Sequence, residues 1–518
     1  MTIAKRLLGL VLLVAVAACG RSGGGAERDD PNAFHILAGS ELKDIEPQVV
    51  ERARKAGVPV HFEYAGTLDI IDRVNRGGKV DAVWVANGAY TGLALKAKPV
   101  ASTKIMYSQI LLGVKPAVAS TLGWDKAAPS WGEIAAAAAA GKLHYAMTNP
   151  TASNSGLSAL VAVASSVAGK GEGLGSGDVN AAALKGFLQG QAVTAGSSGW
   201  LAEAYAREAD RLDGLINYES VLLGLNRTLR QPLTLIYPRD GAVMADYPLL
   251  LVNPARRTDY DKLTVLLLGK EEQGYFASMM RRPADAGVPL AQGMRADPAI
   301  DLPFPARLDA VDALLTAYLD KLRRPVRSWF VLDRSGSMEG DRMVAMKAAM
   351  GGLIDGDPTT LAGRFARLAD RERTTLITFS GVVDPSQSFA IDRADAAGRR
   401  NLLGSVNAIT PGGGTAIYDA VAEAMRQAVA EQPQAPERVY SIVLMTDGEN
   451  NAGMDASGFA RFYAALPPQK RAIRIFPILF GEGDAGEMQA LARLTGGRTF
   501  DARKGDLTSV FRDIRGYQ

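Results

Sequence analysis

Cysteine is nearly absent from this chain of 518 residues: Cys19 is the only one. A lone thiol closes no internal disulfide, so an exported fold built from this sequence is held by its cores and by bound metal. Histidine is scarce as well. His35, His61 and His144 are all there are, each in a predicted strand. Neither a His-Glu-x-x-His helix nor a Gly-x-Ser-x-Gly elbow followed by acid and histidine occurs, which removes the usual frameworks of metallo- and serine hydrolases. We therefore expect a protein that is not an enzyme. Charge of one sign is not in excess either: Lys and Arg number 58 against 55 Asp and Glu, a balance that speaks against a nucleic-acid partner. Beyond the start of the chain, no uninterrupted apolar run is long enough to cross a bilayer. What remains is ordinary globular composition, 47% hydrophobic and 22% charged, on a length that needs about two to four domains.

The start has its own pattern. Lys5-Arg6 precedes an apolar run from Leu7 to Val16, followed by Ala17-Ala18 and Cys19. The run is too short for a hydrocarbon core of about 30 Å, so residues 1–18 read as a signal peptide and not as a spanning helix. Val16-Ala17-Ala18-Cys19 resembles the bacterial lipobox, and the resemblance implies cleavage before Cys19 and lipidation of its thiol. Residues 19–32, rich in Gly, Ser and charge, then form a flexible tether. Gly20 after the cysteine resembles the default for the outer membrane, which implies its periplasmic face in a Gram-negative envelope.

From residue 33 short apolar runs alternate with helical periodicity: strands at 34–38, 60–64 and 81–85, with helices at 42–56 and 68–75 between them. This order predicts a doubly wound α/β sheet with its ligand site beyond the strand ends. Those ends carry Gly39-Ser40, Gly66-Thr67 and Asn87-Gly88. Extended stretches at 105–115 and 233–237 allow a second lobe, about 116–232, to be inserted into a first lobe formed by 33–115 and 233–300, with a hinge between them. In the second lobe a strand at 143–147 leads into Asn149-Pro150 and on to Ser155-Gly156, where hydroxyls and amides lie together before an apolar helix. The run 169–177 is glycine-rich but lacks a Gly-Lys-Ser/Thr ending and reads as a loop. Ala38-Gly39-Ser40, Ala65-Gly66-Thr67, the 149–156 loop and Asn217-Tyr218-Glu219 resemble the type II periplasmic solute-binding proteins, above all the oxyanion binders. The resemblance covers residues 33–307 and implies ligand contacts from Ser40, Thr67, Ser155 and Tyr218. Glu219 departs from it, since a carboxylate beside Tyr218 is unwelcome to an anion.

After Leu302-Pro303-Phe304-Pro305, apolar residues at helical spacing make 308–325 a connecting helix. Residues 326–518 then repeat the doubly wound pattern, with strands at 328–332, 374–379, 440–445 and 473–480. Three polar loops fall at strand ends or helix starts: Asp333-Arg334-Ser335-Gly336-Ser337, Gly412-Gly413-Gly414-Thr415 and Thr446-Asp447-Gly448. Their side chains are all oxygen donors, which suit a hard cation. Together they resemble the metal-ion-dependent adhesion site of the von Willebrand factor A (VWA) family. The resemblance implies Mg²⁺, with Mn²⁺ and Ca²⁺ as alternatives, on Asp333, Ser335, Ser337, Thr415 and Asp447, and one position left for an acidic residue of a protein partner. Glu339 and Asp341 lie outside the motif and read as solvated surface.

These resemblances imply an envelope-anchored binding protein that meets the membrane through its lipid. Its VWA domain grips a protein through the metal, while the two-lobed domain captures a small solute, an oxyanion being favoured by the neutral donors. The alternative is the substrate-binding component of an ABC-type transporter.

Overall fold

A computed structural model describes residues 32–518, except 170–172, 176, 298–299, 358, 393–395, 482 and 504–506. The expected signal peptide, Cys19 and nearly all of the tether lie outside the described residues, as does part of the glycine run at 169–177. No described helix is long and apolar enough to cross a membrane.

Three sheets organise the chain. In the first, Phe34–Ala38, Val60–Tyr64 and Ala82–Trp84 run parallel, Pro248–Leu251 lies antiparallel beside Ala82–Trp84, and Ala101–Lys104 pairs antiparallel with Pro248–Leu251 at the edge. Phe34, Ile36 and Ala38 are buried, as are all three residues of Ala82–Trp84, as expected where helices cover both faces of a parallel sheet.

The second sheet is built around Met106–Val114. This strand pairs antiparallel with Gly214–Tyr218, Thr234–Ile236, Met244–Ala245 and Arg282–Pro283, and Tyr145–Thr148 and Gln191–Ala195 extend the sheet. The chain therefore passes into the second sheet near residue 105, earlier than the lobe boundary at 115–116 read from the sequence. The cause lies in the strand itself. Met106 and Ser108–Val114 are buried, so this strand takes a central place in the second sheet and cannot serve as an edge crossing. The helix Asn154–Ala168 behind it is buried over most of its length, with Leu157 and Ala159–Ala164 fully enclosed, and it stops at the left-handed cap Gly169 (φ 63°).

The third sheet has six strands. Val326–Asp333 lies at its centre, flanked by parallel Glu372–Phe379 and Val439–Thr446; Gln387–Ile391 closes one edge and Arg474–Leu479 with Phe500–Asp501 the other. All eight residues of the central strand are buried. Among them Arg327 is neutralised by Glu431 at 2.8 Å and stacks on Trp329, its guanidinium carbon 3.8 Å from the ring centre. The connecting helix Leu308–Ala317, with a π-helical turn at Tyr318–Leu322, packs between the modules.

Candidate functional site

Two sites lie at strand ends. The first gathers the three polar loops of the six-stranded sheet. Asp333 ends the central strand and is fully buried, so its carboxylate is used locally: Oδ1 accepts the Ser335 amide at 2.7 Å, and Oδ2 accepts the Thr446 hydroxyl at 2.7 Å. Burial pushes its carboxyl above the ordinary range, and neighbouring Asp447 pushes the same way. Ser335 Oγ lies 3.0 Å from Ser337 Oγ, which in turn donates to Asp447 Oδ1 at 2.8 Å. A Cβ placed on Gly448 would lie 3.7 Å from Ser337 Oγ and 3.8 Å from Thr415 Oγ1, so both hydroxyls border one small space.

The glycines of the second loop set this approach. Gly412 and Gly413 have φ of 154° and 91°, and the Gly413 carbonyl accepts the Gly336 amide at 3.0 Å, tying the first loop to the second. Asn451 and Asn450 tie the third loop to the second by accepting the amides of Thr415 (2.7 Å) and Ile417 (2.8 Å). Two carboxylates and three hydroxyls thus meet at one edge. Among the described residues no three His, Cys, Asp or Glu side chains form a metal cluster. The donor set is instead mixed carboxylate and hydroxyl oxygen, which fits a hard cation. Glu339 and Asp341 are exposed, as expected.

The second site is the cleft between the two lobes. The helices Thr67–Asn75, Asn154–Ala168, Ser198–Glu208 and Glu219–Asn226, together with the turn Ser40–Leu42, all begin there, and none has a side-chain cap. First-turn amides of Thr67–Asn75, Asn154–Ala168 and Ser198–Glu208 therefore remain available, whereas the Ser220 amide in Glu219–Asn226 donates to the Ser108 hydroxyl at 3.2 Å. The lobes already touch: a Cβ on Gly66 would lie 2.6 Å from the Ala152 carbonyl. Ser40, Thr67 and Tyr218 line the narrow inner cleft. Ser155 sits deeper, with its hydroxyl shared among Thr148 (2.8 Å), Ser153 (3.2 Å) and Ser198 (2.8 Å), where it fixes the loop. Tyr218 is buried, and its hydroxyl accepts from Asn154 at 3.1 Å. Glu219 does not face a ligand, because Arg282 clamps it through two contacts of 2.8 Å and Tyr237 donates to it at 2.6 Å.

Residues 34–279 match the family described as bacterial extracellular solute-binding protein, and residues 329–513 match the von Willebrand factor type A domain. The chain is a solute-binding domain joined to a VWA domain. Both are binding families. In solved structures the chain is similar to a VWA protein from Catenulispora acidiphila (20% identity, 38% of this chain and 42% of that one, TM-score 0.30). It is also similar to a ferric binding protein from Campylobacter jejuni (14% identity, 54% and 96% covered, TM-score 0.43). A further similarity is to an extracellular solute-binding protein described as putative from Bordetella parapertussis (14% identity, 56% and 98% covered, TM-score 0.42). Among curated proteins it is 31% identical over 132 residues to the uncharacterized protein sll0103 of Synechocystis, a match spanning 25% of this chain and 27% of that protein.

Each domain brings further residues to these loops and to the cleft. At the VWA loops Arg342 donates to Asp447 Oδ2 at 2.6 Å and to the Ser337 carbonyl at 3.3 Å. In the solute cleft Glu41, Asn154 and Ser197 line the inner wall. The Ser40 hydroxyl, the Ser197 hydroxyl and Asn154 Oδ1 are buried and make no hydrogen bond. Burial pushes the Glu41 carboxyl up to about 7. Ser197 was within reach of the sequence, since Gly196-Ser197 follows a strand as Gly39-Ser40 does. Nothing in the local sequence singles out Glu41 or Arg342.

Proposed function

We propose that this chain is an envelope-anchored binding protein whose VWA domain holds Mg²⁺, with Mn²⁺ and Ca²⁺ as substitutes, and uses it to grip a protein partner. Ser335, Ser337 and Thr415 are the hydroxyl ligands, with Asp333 and Asp447 as the carboxylates, and a partner carboxylate completes the sphere. The observation that carries this reading is the convergence of those five residues from three loops. Five side-chain ligands leave one position of the octahedral sphere that Mg²⁺ demands open to an acidic ligand. Lipidation at Cys19 supplies the anchor.

In the solute-binding domain the same reading gives a small polar solute, held by hydroxyls and helix amides from both lobes. Ser40, Thr67 and Tyr218 contribute, together with Asn154 and Ser197, and Ser155 supports the loop behind them. The uncapped helix starts favour an anionic group. Glu41 accommodates one only as its neutral acid, donating a hydrogen bond. The two-lobed domain also favours a second reading, in which the solute is delivered to an ABC-type permease.

Titration calorimetry tests the metal reading. The chain from residue 32 should bind Mg²⁺, and Asp333→Ala and Asp447→Ala should not. Equal binding by all three sinks the assignment.

A further inference from the structure

The VWA domain does not hang beside the solute-binding domain; it lies across both of its lobes. On the first lobe, the Leu361 amide donates to Asp72 Oδ1 at 2.8 Å, and Leu361, Phe365 and Ala369 enter the same apolar core as Leu68 and Ile71. On the second lobe, Asn149 Nδ2 donates to the Arg515 carbonyl at 3.0 Å, and Arg474 pairs with Glu208 at 2.5 Å. The Arg498 guanidinium carbon lies 3.2 Å from the centre of the Trp200 ring. A Cβ on Gly516 would lie 2.7 Å from the Gly196 Cα, so the backbones beyond the helix Leu507–Arg515 and beside Ser197 are in close contact.

These two holds lie on either side of the cleft mouth. The mouth is a cavity of about 110 Å³ whose walls are Ser40, Ala65 and Gly66 from the first lobe, Thr151 and Ser197 from the second, and Ala366 and Asp513 from the VWA domain. Behind it the inner cleft shrinks to about 20 Å³. A solute the size of a sugar or a phosphate ester needs more room, so the lobes must part to admit it, and parting them pulls on both holds at once.

We propose that the solute site is a composite of both domains: the VWA domain forms its third wall and straps the two lobes, so a solute enters only when the VWA domain lets go of one lobe. Solute occupancy and VWA position are then linked, and by reciprocity anything that repositions the VWA domain changes affinity for the solute. This rests on the cleft reading above for its biological meaning. Its test needs neither solute nor metal, so its failure is distinct from a failed Mg²⁺ titration.

The chain from residue 32 contains no cysteine, so one introduced thiol reports access. Ala65→Cys places it at the mouth, and its rate of labelling by fluorescein maleimide is measured. The probe is larger than the mouth, and Ala65 is part-exposed, so opening of the strap is read as a rise in rate above the rate of the intact strap. Two further backgrounds loosen the strap: Gly516→Ala, which wedges the contact with Gly196, and Arg498→Ala, which removes the stack on Trp200. Val443→Cys, buried in the VWA core, monitors unfolding in each background. The expected result is slow labelling of Ala65→Cys alone and labelling about tenfold faster in either loosened background while the core thiol stays protected. If Gly516→Ala exposes the core thiol, Arg498→Ala decides by the same criterion. Equal mouth labelling in all folded backgrounds, fast or slow, overturns the proposal.

Discussion

At the scale of single residues, Arg342 is the most informative side chain in the VWA loops. Its guanidinium occupies Asp447 Oδ2, the oxygen not taken by Ser337. A divalent ion brought to Ser337 meets that positive charge a few ångströms away, and because Arg342 is 35% exposed, solvent weakens the repulsion without removing it. Arg342→Ala is therefore expected to tighten Mg²⁺ binding by about tenfold, read by calorimetry at constant ionic strength. Unchanged or weaker binding would show that the guanidinium supports the site. Glu41 gives a second expectation, with its sign set by linkage. Its folded value of about 7 exceeds its ordinary 4.5, so between those values the folded state holds the proton that the unfolded state has lost. Its contribution is present below about 4.5 and lost as pH rises through 7. Glu41→Gln should flatten the fall in urea stability between pH 5 and pH 8, by at most about 3 kcal/mol. An anionic solute should also bind more weakly above pH 7 in the wild type but not in the variant. The polar residues of the VWA loops were readable because their spacing is a motif. Arg342 and Glu41 were not, because each acts through neighbours that only the fold supplies.

At the scale of elements, the strands read well where they are long buried runs. Val326–Asp333 and Phe34–Ala38 lie where their apolar residues put them. Met106–Val114 was visible as extended, yet hydrophobicity does not say which sheet a strand joins; that follows from its four antiparallel partners. Ser155 illustrates the same limit in a loop, since a hydroxyl at a helix start serves a ligand or a neighbour equally well in sequence. The helix Leu507–Arg515 depends on a buried charge network. Arg323 and Arg515 both contact Glu372 Oε1, Arg515 at 2.6 Å, and Arg515 also reaches Gln518 at 2.6 Å. All four side chains are nearly inaccessible. Glu372→Gln strands two buried guanidinium groups and should cost about 3–5 kcal/mol in denaturant unfolding. A cost below about 1 kcal/mol would mean that water reaches the network.

At the scale of the whole molecule, the domains share their cores. One apolar cluster joins both lobes to Leu361, Phe365 and Ala369, and a second joins Val193, Leu201 and Tyr205 to Phe330, Phe476 and Tyr517. With so much apolar surface in common, calorimetric melting of the chain from residue 32 should show one cooperative transition; two resolved peaks would show that the domains fold independently. The proposed grip on a partner depends on a cation at the VWA loops. Crystals grown with Mn²⁺ in place of Mg²⁺ test it most directly through anomalous scattering. The expected result is a single strong peak bounded by the Ser335, Ser337 and Thr415 hydroxyls, with Arg342 drawn away from Asp447. A peak elsewhere, or none with the Arg342–Asp447 pair intact, would contradict it.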